Sequence, residues 1–210
     1  MKHIIKQSEP IELIEFKAAS NPPDWIPSYS NLTKAAKDAT KKALMEEQGY
    51  ICCYCERRLE ENDSHIEHFQ PQSDSNVDDI DFYNMLCSCQ KTLKSGEPRH
   101  CGNLKGDWFD ATLLISPFDS SSESKFGFKA DGTIYPKINA NDAQTTIEKL
   151  GLDIPKLNNL RKTVIEAFLD DSLNEDEMKT FIKSHLQRDS SGKFGEFHTT
   201  IKYIFGDLAA

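Results

Sequence analysis

At 210 residues, the chain is long enough for one substantial core, or for a small metal-stapled unit sharing its interior with a helical remainder; the second reading is favoured. Its 34 acidic and 25 basic residues give a formal net charge of -9, which argues against wrapping nucleic acid unaided, because phosphate binding draws on clustered Lys and Arg. No apolar run approaches the roughly 18 residues a membrane span needs, and Met1-Lys2-His3-Ile4-Ile5-Lys6 turns polar too early for a secretory signal, so a cytoplasmic protein with no membrane partner is expected.

In chain order, residues 1–27 are expected to form an irregular arm, since Pro22, Pro23 and Pro27 forbid a helix interior. Asn31 can cap a helix through Leu32, Ala35, Ala36, Ala39, Ala43, Leu44 and Met45 that Gly49 ends. Lys34, Lys37, Lys41 and Lys42 on that helix form either a solvated face or, with Arg57 and Arg58, local patches for a polyanion. A knuckle and a hairpin are predicted over 50–69, with 60–64 as the polar turn between two short strands, and a short helix over 79–86. Residues 90–99 have loop composition, 112–117 resemble a buried strand, and 126–135 alternate about the Asp131-Gly132 turn of a hairpin. Helices follow from Asn141-Asp142 to Gly151, from Pro155 through Leu169, over 174–188 and over 194–205, with apolar stripes that belong to a core.

All six cysteines lie between Cys52 and Cys101, an arrangement better explained by reduced thiolates on a metal than by a disulfide framework spread through the chain. The Cys52-x2-Cys55 spacing lets a tight turn aim two thiolates at one tetrahedral ion, and two more ligands must come from Cys87, Cys89 and Cys101. A four-thiolate zinc site would be closed and structural. Cys53 and Cys87 read as small buried apolar residues, although Cys87 stays a competitor to Cys89.

Cys52-x2-Cys55, then Glu67-His68-Phe69-Gln70-Pro71, then Asn84 with Cys89 five residues on, then Cys101 with Asn103 and Lys105, resembles the HNH endonuclease family. The resemblance covers residues 50–107 and implies an α+β, mainly α fold: a zinc-stapled ββα-metal core, an N-terminal helix and a C-terminal helical region. It divides the chain into an arm and helix (1–49), the nuclease core (50–110), and a small hairpin with helices suited to partner docking (111–210). It makes His68 the general base, a task suited to a side chain with a pKa near 6.5. Glu67 becomes the ligand of a catalytic Mg²⁺ or Mn²⁺, Asn84 the residue that orients the histidine, and Asn103 the second ligand of that cation. The implied zinc set is Cys52, Cys55, Cys89 and Cys101. The family's last polar ligand stands three residues before its Lys, a position held here by Gly102. Roles for His65 and His100 are left open.

The layout after residue 110 is also similar to a bacterial group of HNH proteins that includes PtuB, the nuclease of Septu anti-phage defence and of some retron systems, which works with the ATPase PtuA. That likeness implies a PtuA-like ATPase partner and a nucleic-acid substrate, DNA before RNA. A zinc-binding adaptor without catalysis and an RNA-directed nuclease, toward tRNA for example, are the alternatives.

Overall fold

The computed structural model describes residues 1–137, 141–169 and 173–209; the third expected segment thus includes 138–140, 170–172 and 210, which lie outside the described residues. Among the described residues are seven α-helices and two separate two-stranded antiparallel sheets. Helix α1 (Ile11–Ala18) begins directly after Pro10 and buries Leu13 and Phe16. The irregular arm expected for 1–27 is therefore corrected: residues 11–21 contain no proline, room enough for two turns between the breakers. Thr33 rather than Asn31 caps α2 (Lys34–Glu47), its hydroxyl accepting from the Ala36 N–H at 3.2 Å. Asn31 closes the short helical turn before it. Helix α2 stops at Gly49, where φ is +62° and a Cβ would lie 2.2 Å from the Phe194 ring, so backbone and packing both require glycine.

Strand β1 (Ser64–His68) pairs with β2 (Met85–Cys89), Ser64 facing Cys89 and His68 facing Met85. Both local expectations change here. No strand before residue 64 pairs with β1; the knuckle closes instead on a single bridge between Ile51 and Arg58. Of 79–86 only Phe82–Asn84 is helical, as one tight turn, and β2 begins at Met85. All five residues of β2 are buried, which removes the polar alternation that marks a strand in sequence. Helix α3 (Gly102–Lys105) follows, completing a ββα order.

Residues 112–117 form turns and not the expected strand; the Ile115 N–H donates to Thr146 Oγ1 at 2.8 Å and Pro117 O accepts from Ile4, so side chain and remote backbone replace a ladder. The predicted hairpin is present as β3 (Phe126–Phe128) and β4 (Ile134–Pro136). Helices α4 (Asn141–Leu150), α5 (Pro155–Glu166), α6 (Glu175–Leu186) and α7 (His198–Phe205) complete the chain. Asn174 and Glu177 form a reciprocal capping box on α6. Ile165, Phe168, Ile182, Ile201 and Phe205 make a core of their own, beside the larger one around Leu13, Leu44, Phe82, Met85 and Leu86. No helix among the described residues is long and apolar enough to cross a membrane.

A buried amide joins α2 to the ββα unit. Gln48, 2 % exposed, donates through Nε2 to Cys87 O (2.8 Å) and Ile51 O (2.9 Å), and its Oε1 accepts the Cys87 N–H at 2.7 Å. Removing it strands two buried backbone groups, Ile51 O and Cys87 N–H, while Cys87 O keeps the Cys53 N–H at 3.2 Å, and each unsatisfied group costs about 1–3 kcal/mol. Gln48→Ala is expected to lower stability by about 3 kcal/mol, read as a shift in the urea midpoint at unchanged slope.

Candidate active site and metal cluster

The sulfurs of Cys52, Cys55, Cys89 and Cys101 all lie within 4.8 Å of one another, and each of these residues is buried. The Cys55–Cys89 separation is 3.7 Å, against the edge of about 3.8 Å for a tetrahedron with zinc–sulfur bonds of about 2.3 Å. Three separate elements bring them there. The knuckle turn, closed by Glu56 N–H to Cys52 O (3.0 Å) and Cys52 N–H to Arg57 O (2.9 Å), supplies the first two. Cys89 ends β2, and Cys101 opens α3 with φ +55°, its N–H held by Leu150 O at 2.7 Å. His100 Nδ1 stands 3.2 Å from the Cys101 sulfur, where an N–H can donate to a thiolate.

Cys87 and Cys53 lie outside this group. Burial, reinforced by the nearby Cys52, pushes the Cys87 thiol up to about 12, and burial likewise holds Cys53 well above its ordinary value, so both remain neutral packing residues. Cys52 behaves oppositely: burial opposes its charge, but thiol donors from Cys101, Cys53, Cys55 and Cys89 hold it well below the usual range. Four converging thiols, with Cys52 and Cys55 both inclined to ionise, suit a soft divalent ion.

On the neighbouring strand, His65 and Glu67 share one face of β1 and His68 takes the other, as the twofold period requires. Glu67 is 7 % exposed, and its Oε1 receives Tyr54 OH (3.1 Å) and Lys105 Nζ (2.9 Å). Burial alone would raise its pKa; His65 and Lys105 beside it keep the carboxyl below the ordinary value, hence ionised. Burial and the Glu67 charge hold the Tyr54 phenol well up, so it stays a donor. The Lys105 ammonium, from α3, also donates to His68 O at 2.8 Å, which fixes both residues of the Glu-His pair to the helix.

The His68 ring has its Nε2 2.9 Å from Asp79 O, and the Tyr29 ring meets it edge-on at 4.7 Å between centroids. A carbonyl oxygen only accepts, so Nε2 carries the proton and Nδ1 the lone pair. Burial lowers the pKa of His68, favouring the neutral ring. Lys37 Nζ lies 4.9 Å from the Tyr29 ring centre, a cation one residue removed from the histidine. The other basic residues are largely engaged: Lys34 with Asp38, Lys42 with Glu46, Lys41 with Glu61 O, and Arg57 with Asp63. Arg58 donates to Gly49 O, Tyr50 O and Phe194 O.

Asn84 does not touch the His68 ring. Its side chain binds the backbone of Gln70 from both ends, Oδ1 accepting the N–H and Nδ2 donating to the carbonyl, each at 2.9 Å, while Asn84 O accepts the Phe69 N–H at 2.9 Å. It thereby fixes the strand exit immediately after His68. An open cavity of about 400 Å³ lies beside this exit, lined by Phe69, Gln70, Asn76, Asn84 and Phe118 among others. Asn103 donates through Nδ2 to Gln90 O at 2.6 Å. The residue of α3 that faces the Glu67 carboxylate is Gly102, whose absent Cβ would fall 2.2 Å from Glu67 Oε2 and 3.0 Å from His65 Nε2. Tyr54, Asp79 and Gln48 were not foreseen as parts of the site: Tyr54 is hidden inside the Cys-x2-Cys turn, and a main-chain carbonyl such as that of Asp79 leaves no mark in sequence.

No protein-family model matches the chain. A curated relative from Vibrio cholerae serotype O1 biovar El Tor, named "Retron Vc95 putative HNH endonuclease", is 32% identical over 145 residues, 65% of this chain and 68% of the relative. With identity of that order across two thirds of the relative, and a thiolate cluster set beside a strand-borne Glu-His pair, the chain belongs to the HNH endonuclease family.

Proposed function

We propose that the protein is a metal-dependent endonuclease that hydrolyses phosphodiester bonds, with His68 as general base. The observation that carries this reading is the His68 ring itself: Nε2–H is committed to Asp79 O, which leaves the Nδ1 lone pair as the proton acceptor for an attacking water. Glu67, ionised and anchored through one oxygen by Lys105 and Tyr54, has its second oxygen free for a hard cation such as Mg²⁺ or Mn²⁺. Asn103 retains Oδ1 as a further oxygen donor on α3. A cation held there supplies Lewis-acid stabilisation of the charge that grows on the phosphate and leaving oxygen. Asn84 positions the base through the backbone of Gln70, and the thiolate cluster, filled by zinc, keeps α3 against the hairpin.

Anti-phage defence with a PtuA-like ATPase is the biological setting we infer. The relative's name places that protein in a retron, the layout resembles PtuB, and a chain with net charge -9 is suited to a subunit whose partner captures the nucleic acid. DNA is the proposed polymer, although base and cation act on the phosphate and leave the sugar untouched.

The zinc-loaded protein, incubated with supercoiled plasmid or with tRNA, Mg²⁺ or Mn²⁺, and a PtuA-like ATPase, is expected to nick or linearise the plasmid. Chelation of the free divalent ion should stop the reaction. Failure to cut either polymer under these conditions would remove the enzyme assignment and leave a zinc adaptor; cutting tRNA alone would redirect it to RNA.

A further inference from the structure

Beside Glu67 and Asn103, the catalytic-cation site has room for a further protein donor, because the helix position that faces Glu67 is Gly102, which has no side chain. The space is filled from the strand. His65 lies two residues before Glu67 on the same face of β1, with its Nε2 3.6 Å from Glu67 Oε2. Both atoms point at the bare α-carbon of Gly102, as the 2.2 Å and 3.0 Å approaches of a hypothetical Cβ show. A 3.6 Å separation is too long for a hydrogen bond. It is compatible with one cation about 2.1 Å from each atom.

Hydrogen bonding within the protein gives His65 no other occupation. Its Nδ1 is buried without a partner, and Nε2 makes no hydrogen bond among the described residues, although the side chain is only 26 % exposed. A buried ring nitrogen left without a partner, as Nδ1 is, is uncommon, because buried polar atoms are almost always paired. Glu67 contributes the complementary half: Oε1 is occupied by Tyr54 and Lys105, whereas Oε2 faces His65 and Gly102. Asn103, in contrast, has its amide nitrogen on Gln90 O.

We infer that His65 Nε2 and Glu67 Oε2 together hold the divalent cation, His65 occupying the space that the Gly102 position leaves bare, and that glycine at 102 is what admits the imidazole. This deepens the nuclease reading and rests on it. An imidazole donor has a chemical consequence: it shifts preference away from Mg²⁺, which takes oxygen ligands, toward Mn²⁺ and later transition ions.

The test is direct Mn²⁺ binding to zinc-loaded, full-length protein, followed by loss of the free-ion EPR signal, with zinc content and thermal midpoint measured in parallel. His65→Ala is expected to weaken Mn²⁺ binding at least about 10-fold, since even a residue that only supports a metal ligand is worth 10–100-fold. Gly102→Ala should do the same by crowding both donor atoms. His68→Ala should bind Mn²⁺ like the parent yet fail to cleave, so failure of the ligand assignment is distinguished from failure of the base assignment. Parent-like Mn²⁺ binding by a folded, zinc-loaded His65→Ala protein overturns the inference, whether Glu67→Gln binds or not. If His65→Ala does not fold, Gly102→Ala decides: parent-like Mn²⁺ affinity in that variant also overturns it.

Discussion

Cleavage by His68→Ala protein is expected to fall by about 10²–10⁴ relative to the parent, the usual contribution of a general base. In barrier terms that is about 3–5 kcal/mol. The expectation depends on the tautomer: Asp79 O takes the Nε2 proton, so the imidazole presents an unprotonated Nδ1, and burial favours that neutral form. Neither Asn84, bonded to Gln70 on both sides, nor Glu67, held by Lys105 on the opposite face of β1, is placed to replace it. Loss of the Tyr29 edge contact will soften packing, so the comparison needs zinc content and thermal midpoint at the parent values. His68→Ala protein that stays folded and cuts at the parent rate would exclude this histidine as the base.

The second large effect concerns the thiolates. Cys52→Ser or Cys101→Ser is expected to lose the bound zinc and most of the cooperative unfolding transition, measured by metal analysis and by circular dichroism melting. Structural zinc contributes about 10–16 kcal/mol of apparent binding free energy in small peptides, as large as the whole stability of about 5–15 kcal/mol typical of a domain. The unit has little else at this point: the knuckle has one bridge, and α3 is four residues long. Cys53→Ala gives the contrast. That thiol is neutral and outside the cluster, so one zinc per chain should remain. Zinc retained at full stoichiometry in Cys101→Ser protein would show that the four sulfurs are not the site.

Local spacing carried part of this arrangement into the sequence. The Cys-x2-Cys turn and the capping and breaking residues Pro155 and Gly151 act within a few residues, so α5 and the end of α4 lie where their signals stand. Cys89 and Cys101 are joined by a loop, and loop length leaves open which thiol reaches the cluster; only the β1–β2 register, with Cys89 opposite Ser64 and Cys87 opposite Ile66, separates Cys89 from Cys87. Strand β2 was hidden because burial on both faces erases the period of two. Helix α1 is masked in sequence by the prolines that flank it, Pro10 before and Pro22-Pro23 after. In the site, the Glu-His pair was legible through its motif, whereas the identity of its neighbours was not. Tyr54, Asp79 and Lys105 converge on the pair from three different places in the chain, and no pattern in one dimension records that meeting.

The Tyr29 edge against His68, the Gln48 amide on β2 and the Leu150 carbonyl on Cys101 all come from outside residues 50–110. Transplanting that stretch alone into another scaffold would leave the histidine uncovered on one side, Cys87 N–H and O without their amide, and the fourth thiolate without its anchor. The catalytic module of this chain is consequently interwoven rather than portable, and swaps between relatives should exchange the flanking helices along with it.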